Sequence, residues 1–495
     1  MVTTVPAITS ETDSDTLAHV TAAAHEAASA LARTTAAERR DWLNAVADAI
    51  DAAADELVPL AEEETSLGET RLRGEVARTT GQLRLFGSVI TDGGYLEAII
   101  DHADPHATPP KPDLRRMLFP LGPVAVFTAS NFPFAFSVAG GDTASALAAG
   151  CPVVVKAHSG HPRLSERTAE IVLGALRESG VPEGTFAHVG GREAGRSLVC
   201  DPAIKAAGFT GSLSGGRALF DLANSRPDPI PFYGELSSIN PVVITPGAAA
   251  ARADELVQGL IGSFTLGVGQ FCTKPGIVLV PDGGEIEQAL AEGLGHRGPQ
   301  PMLNDRIAES FAEALDGLLR TDRVDVVAGD ASSSVSSGAA APVVVATTVD
   351  DLTVAKDVLL EECFGPSTLL VRYADEHELA RAVEILPGSL TVTVHAEDAE
   401  FDDIAPLVDR LRELAGRVIF GGWPTGVAVN WAQQHGGPWP STTSALHTSV
   451  GATAIRRFLR PVAFQDTPEV LLPEELREQT SLVIPRRVDG ELRTP

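Results

Sequence analysis

The sequence predicts an α/β protein built on mostly parallel sheets in two successive units. Two observations carry this. From about residue 113 to 450, short apolar runs such as "CPVVVKA", "GIVLV" and "PVVVAT" alternate with amphipathic helical stretches. That alternation is the pattern of right-handed βαβ units. The chain is also 495 residues long, too long for one ordinary core, so two or three domains are expected.

The elements follow in order. Residues 15–92 are rich in Ala, Glu and Arg, and "TAAAHEAASALA" and "RRDWLNAVADAIDAAADELVPLAEEE" read as amphipathic helices. "RRMLFPLGPVAVFT" predicts a strand, a Leu-Gly-Pro turn and a second strand. "GDTASALAAG" is a short helix closed by Gly150, and "CPVVVKA" a buried strand. "SERTAEIVLGALRESG" is a helix with Ile171, Ala175 and Leu176 on one face and Gly180 at its end. "GTFAHVGG" gives a strand and loop, and "IKAAGFTGSLSGGRALFDLA" a strand, a Gly/Ser-rich turn and a helix. The second series, from about 236, holds "NPVVIT", "GIVLV", the helix "RIAESFAEALDGLL", "PVVVAT" and "GSLTVTVH". "AGDASSSVSSGAAAP" predicts a surface loop. The tail predicts a strand in "RRFLRPVAFQ" and a helix in "PEELREQ".

Composition narrows the function. With 66 acidic and 38 basic residues the formal charge is −28, so the surface repels nucleic acid and anionic membranes. The apolar region 117–155 is broken by Pro120, Asn131, Pro133 and Asp142 and reads as buried strands and a helix, not a membrane span. "MVTTVPAITSETDSD" lacks a signal-peptide pattern. Cys151, Cys200, Cys272 and Cys363 have no metal-ligand spacing and no disulfide framework. No metal and a reducing cytoplasm are the expectations.

Several residues sit in settings that suit chemistry. Cys272 in "GQFCTKPG" is flanked by Gly267, Gly269, Pro275 and Gly276, an open turn more than a packed core. A helix starting after it would lower the thiol pKa; the neighbouring Lys274 reads as a solvated loop charge. Glu235 in "FYGELSSINP" is oddly placed for a solvated face. A thiol that forms an acyl intermediate needs a base to activate water, and a glutamate of raised pKa suits. Asn131 in "FTASNFPF" follows an apolar strand, where its amide can face an oxyanion. Lys156 ends a strand; ligands of open α/β sheets bind beyond such ends, where a lysine suits a ribose hydroxyl or a phosphate. Gly211 and Ser212 lie in a strand-to-helix turn that suits a phosphate. "LEECFGPS" and His435 in "QQHGGPWP" complete the set, His435 as a structural hydrogen bonder or a second acid/base. Each has a bland reading too: lone cysteines are usually buried filler and Asn usually closes turns.

Taken in order, "SNFPF", "VVVKA", "FTGS", "GEL", "GQFCT" and "EECFGP" resemble the NAD(P)-dependent aldehyde dehydrogenase superfamily over about residues 15–480. "FTASNFPFAFS", "KAHSGHP", "GQFCTKPG" and "HGGPWP" look like the branch that holds 2-oxoglutarate semialdehyde (2,5-dioxovalerate) dehydrogenases and some NADP-dependent long-chain aldehyde dehydrogenases. The resemblance implies two Rossmann-like parallel-sheet domains plus a small β oligomerisation element. Residues 1–106 and 122–235 would bind the dinucleotide, 236–450 would form the catalytic domain, and 107–121 with 451–495 would bridge subunits in a homodimer or homotetramer.

The resemblance also implies roles. Cys272 attacks the aldehyde, Asn131 and the Cys272 N–H hold the oxyanion, and Glu235 activates the hydrolytic water, with His435 near the active site. Lys156 and Glu362 hold cofactor ribose hydroxyls, Phe364 lies by the nicotinamide ribose, and Gly211 and Ser212 form the pyrophosphate turn. Ser159 stands where many NAD-preferring members have a glutamate. With Arg192 it favours a 2′-phosphate, so NADP is the expected cofactor and NAD the alternative. Ser237 stands where relatives often have glycine. The substrate implied is 2-oxoglutarate semialdehyde from sugar-acid or hydroxyproline catabolism, the alternative an aliphatic aldehyde. Other classes weighed are a Cys/Glu/Lys amidase-type hydrolase and a non-catalytic relative.

Overall fold

The computed structural model describes residues 11–295, 297–329, 335, 336 and 338–494. Four helices open the chain: α1 (Ser14–Leu31), α2 (Ala36–Ala52), α3 (Ala54–Thr65) and α4 (Glu69–Asp92). Asp13 caps α1, and Thr35 with Glu38 forms a capping box on α2, which satisfies N–H groups that helix starts leave open. α4 buries Leu72, Val76, Leu83 and Phe86, an apolar stripe at helical spacing.

The first β elements are β1 (Ala98–Asp101), β2 (Leu114–Pro120) and β3 (Val124–Phe127). Then come α5 (Gly141–Ala149), β4 (Val153–Lys156), α6 (Pro162–Glu178), β5 (Phe186–Val189), α7 (Arg192–Cys200), β6 (Ala206–Thr210), α8 (Leu213–Ser225) and β7 (Phe232–Glu235). β3 to β7 form an all-parallel sheet of order β5-β4-β3-β6-β7. The order reverses direction at β3 and β6, and ligands of such sheets bind beyond the carboxyl ends of the strands there.

The second unit begins with β8 (Val242–Ile244), α9 (Pro246–Thr265) and β9 (Ile277–Pro281). It continues through β10 (Gln300–Pro301), β11 (Asp325–Ala328), β12 (Val335–Ser336), β13 (Ala339–Ala340), β14 (Val343–Thr348), β15 (Ser367–Tyr373), β16 (Ser389–His395) and β17 (Ala415–Phe420). Its seven-stranded sheet, β11-β14-β15-β9-β8-β16-β17, is parallel except at β11. Both units are thus the parallel α/β structures expected. The stretch "AGDASSSVSSGAAAP", expected as a loop, contributes β12 and β13 to a three-stranded ladder with β10; residues 330–334 and 337 lie outside the described residues.

A third sheet, β18-β2-β1-β19-β20, is completed by β18 (Leu459–Gln465), β19 (Arg486–Val488) and β20 (Glu491–Arg493). It pairs 107–121 with the tail but also takes β1, which the sequence reading put with the dinucleotide-binding part. Ile99 and Ile100 pair with β2 on one side and β19 on the other, a partnership no local pattern shows. "PEELREQ" forms one short turn, Glu474–Leu476, instead of a helix. Arg115 and Arg486 donate to the carbonyls of Leu476 and Arg477, which helical bonds would otherwise use. Among the described residues, no helix is long and apolar enough to cross a membrane.

Candidate active site

Glu235 is the last residue of β7, and Asn131 lies in the loop after β3. Cys272 follows α9 through a tight turn, Leu266–Gly269. His435 comes from an irregular segment strapped to β7: Leu236 N donates to Ser441 O at 2.8 Å, and Thr443 N to Gly234 O at 3.0 Å. This strap brings a histidine 200 residues away onto Glu235.

The four predicted catalytic residues converge. His435 Nε2 lies 3.0 Å from Glu235 Oε1 and 3.5 Å from Cys272 Sγ. Ser449 Oγ donates to Glu235 Oε2 at 2.6 Å. Asn131 Nδ2 donates to Gln270 O at 3.1 Å, two residues before the cysteine. Glu235 and His435 are buried and Cys272 is half-buried. No metal-ligand spacing exists in sequence, yet donor atoms of Glu235, Cys272 and His435 lie within 4.8 Å of one another. The hydrogen bonds joining them make the set read as a proton path.

Two electrostatic expectations are corrected. Burial pushes the Glu235 carboxyl up, but His435 beside it and hydrogen bonds from His435, Ser449 and Cys272 outweigh this and hold it below its ordinary value. Glu235 is therefore a ready carboxylate, not a group of raised pKa. The Cys272 thiol is pushed well above its ordinary value by burial, with the Glu235 charge adding to the effect. No helix starts after Cys272 to counter this; the chain turns through Thr273 and enters β9. A thiol beside a carboxylate is arranged to give up its proton on attack, not to rest as thiolate.

The local backbone is equally specific. Gly269 has φ +68°, and a Cβ there would stand 2.2 Å from Gly365 O, so the "EECFGP" loop demands a glycine. Lys274, expected as solvated, is 2% exposed, and its Nζ donates to Cys363 O at 2.9 Å and Ser367 O at 2.8 Å. It pins the loop that carries Glu362 and Phe364. Asn240, missed in the sequence, has φ +49° and donates to the carbonyls of both Cys272 and Lys274, at 2.7 and 2.9 Å. Its only local signal is an asparagine before proline in "INP". Of the other cysteines, Cys151 and Cys363 are buried and Cys200 is exposed.

Lys156, Ser159, Arg192, Gly211 and Ser212 lie at the carboxyl ends of strands of the first sheet. Lys156 ends β4, with its ammonium pKa pulled down by burial and partly restored by Glu11. Ser159 sits in an exposed turn, and Arg192 is exposed at the start of α7. Ser212 caps α8 by accepting Gly215 N–H, and Gly211 N donates to Glu235 O at 3.1 Å. From the second unit comes Glu362, pushed up to about 7 by burial against hydrogen bonds from Ser237 and the Ser238 backbone. Ser237 thus links Glu362 to the strand end that carries Glu235. Sequence reasoning missed Glu11, whose carboxylate accepts Arg192 N at 3.0 Å and Ala194 N–H at the start of α7.

Fold and site together define a class: a two-unit α/β protein with a cysteine-centred site beside a dinucleotide-type sheet edge. Residues 2–460 match the Aldehyde dehydrogenase family, and the chain belongs to it. It is similar to "Alpha-ketoglutaric semialdehyde dehydrogenase 2" of Azospirillum brasilense, 48% identical over 92% of this chain and 87% of the relative. It is also similar to "Alpha-ketoglutaric semialdehyde dehydrogenase" of Acinetobacter baylyi, 44% identical over 95% and 90%. Its fold matches the crystal structure of aldehyde dehydrogenase 21 from Physcomitrella patens, with TM-score 0.77 and 22% identity over 93% and 92% of the two chains. Family membership implies a nicotinamide dinucleotide. The donor set fits one: a strand-end ammonium at Lys156, a capped helix start at Ser212 and a half-buried carboxyl at Glu362.

Proposed function

We propose that this chain oxidises 2-oxoglutarate semialdehyde to 2-oxoglutarate with NADP, through a covalent intermediate on Cys272. The convergence of Cys272, Glu235 and His435 beside Asn131 supports the chemistry; the names of the two relatives support the substrate. The thiol proton passes to Glu235, directly or through His435, as sulfur bonds to the aldehyde carbon. The carbonyl oxygen becomes an oxyanion facing Asn131 Nδ2 and the Cys272 N–H. When bound, the dinucleotide supplies the hydride acceptor. Hydride loss leaves a thioester on Cys272. Glu235, having released the first proton to solvent, takes one from water. The resulting hydroxide adds to the thioester, the C–S bond breaks, and Glu235 returns its proton to the departing Cys272 sulfur, which leaves the acid and the free thiol.

NADP preference rests on Ser159 and Arg192 at the adenosine-ribose end, with Glu11 as the opposing charge. A homodimer or homotetramer is supported by exposed Leu114, Leu471 and Leu492 on and beside the third sheet. The location proposed is the cytoplasm. The apolar cluster of Phe132, Ala135 and Phe271 next to the thiol favours aliphatic aldehydes as the second reading. One assay separates these: NADP or NAD is mixed with 2-oxoglutarate semialdehyde or hexanal, and near-ultraviolet absorbance of the reduced cofactor is followed. No signal with any aldehyde rejects the chemistry, full activity of Cys272→Ala rejects the nucleophile, and a higher kcat/KM for hexanal rejects the substrate.

A further inference from the structure

α4 carries Arg71, Glu75 and Arg78 at i, i+4 and i+7, which stacks them on one face. That face looks onto the Asn131 and Cys272 loops. Glu75 Oε1 accepts the N–H groups of Phe134 and Ala135 at 2.8 and 3.0 Å, so its role is to hold the loop that carries Asn131. Arg71 Nη2 donates to Asn131 O at 2.6 Å, and its guanidinium lies 4.6 Å from the Phe271 ring centre. Arg78 differs. Its guanidinium lies over Phe132 and Phe136, 5.5 and 5.3 Å from the ring centres. Phe136 packs against His435 with ring centres 6.3 Å apart, so Arg78 stands one aromatic ring away from the reacting sulfur's neighbour.

Arg78 Nε and Nη2, and Arg71 Nη1, are buried without a hydrogen-bond partner among the described residues. Buried polar groups are almost always paired, and a charged one left unpaired is costly. The fork of a guanidinium held by aromatic rings matches a carboxylate bidentately. Arg417 is the rival cation near Cys272, but its two Nη groups are spent on the carbonyls of Gly426 and Pro424, so only its Nε lacks a partner among the described residues and it has no fork to offer.

We propose that Arg78, backed by Arg71, holds the carboxylate of an ω-oxo acid and so selects carboxylated over plain aldehydes. The proposal rests on the aldehyde-oxidising site above and supplies the cation that the apolar cluster lacks. The alternative is that Arg78 only balances the buried Glu75 charge.

The test measures kcat/KM for 2-oxoglutarate semialdehyde, succinic semialdehyde and pentanal in the wild type, Arg78→Met and Arg78→Lys, with glutarate as a competing carboxylate. In Arg78→Met, the ratio of oxo-acid to pentanal kcat/KM is expected to fall roughly 10- to 100-fold, mainly through KM. Glutarate inhibition weakens in parallel, and Arg78→Lys recovers part of both. Because the ratio is taken within one variant, loss of folded protein does not move it. An unchanged ratio, or unchanged glutarate inhibition, overturns the proposal. A wild type that prefers succinic semialdehyde removes the substrate reading yet leaves the Arg78 test intact.

Discussion

Replacing His435 with asparagine should move the acid limb of kcat to higher pH. Glu235 is buried, and burial alone would raise its pKa; His435 at 3.0 Å and Ser449 at 2.6 Å bring it below the ordinary value. A hydrogen bond to a charged group is worth about 1.5–3 kcal/mol, or about 1–2 pKa units. The sign follows from the role. Glu235 must be ionised to take a proton from water, so activity rises as pH passes its pKa. Losing His435 raises that pKa, and the limb shifts by roughly 1–2 units toward alkaline pH. Ser449→Ala removes one hydrogen bond where His435→Asn removes both a hydrogen bond and a neighbouring charge, so it should shift the limb less far in the same direction. Both are read from kcat against pH under saturating substrate, with single-turnover release of the acid to isolate deacylation. An acid limb in His435→Asn that stays with the wild type, or moves toward acid, would refute the argument that His435 keeps Glu235 ionised.

Other outcomes follow from the same geometry. Asn131→Ala should lower kcat on the order of 10²–10³-fold, as loss of an oxyanion donor does; a loss under threefold in steady-state assays would count against that role. Lys274→Met leaves the carbonyls of Cys363 and Ser367 unpartnered. It should destabilise the fold by about 1–3 kcal/mol, seen as a lower Tm, and raise dinucleotide KM because Glu362 and Phe364 share that loop. Burial pushes the Glu362 carboxyl up to about 7, and its charged form accepts hydroxyl hydrogens better, so dinucleotide KM in the wild type should fall as pH rises through neutrality. Glu11→Gln removes the carboxylate at the start of α7 and should raise the NADP-to-NAD ratio of kcat/KM severalfold; a fall in that ratio would contradict the proposed position of the 2′-phosphate.

What the sequence made legible, and what it hid, follows from how far apart the partners are. The βαβ alternation was readable because each strand and helix is a local pattern, and "GQFCTKPG" was readable because glycines around a lone cysteine are unusual. Lys274 was misread for the same reason: Pro275 and Gly276 say loop, and nothing nearby says that the loop of Cys363 and Ser367 covers it. β1 was misplaced because its partner β19 lies at the far end of the chain. The helix expected after Cys272 fails because Gly276 N pairs with Ile239 O, which commits the segment to β9. Arg71, Glu75 and Arg78 show the limit most clearly. Their spacing on one helix face can be read off the chain, but the rings beneath the guanidiniums come from Phe132, Phe136 and Phe271. A charge stripe on a helix usually means a solvated face. It becomes a candidate ligand site only when the loop after β3 and the turn before β9 close over it.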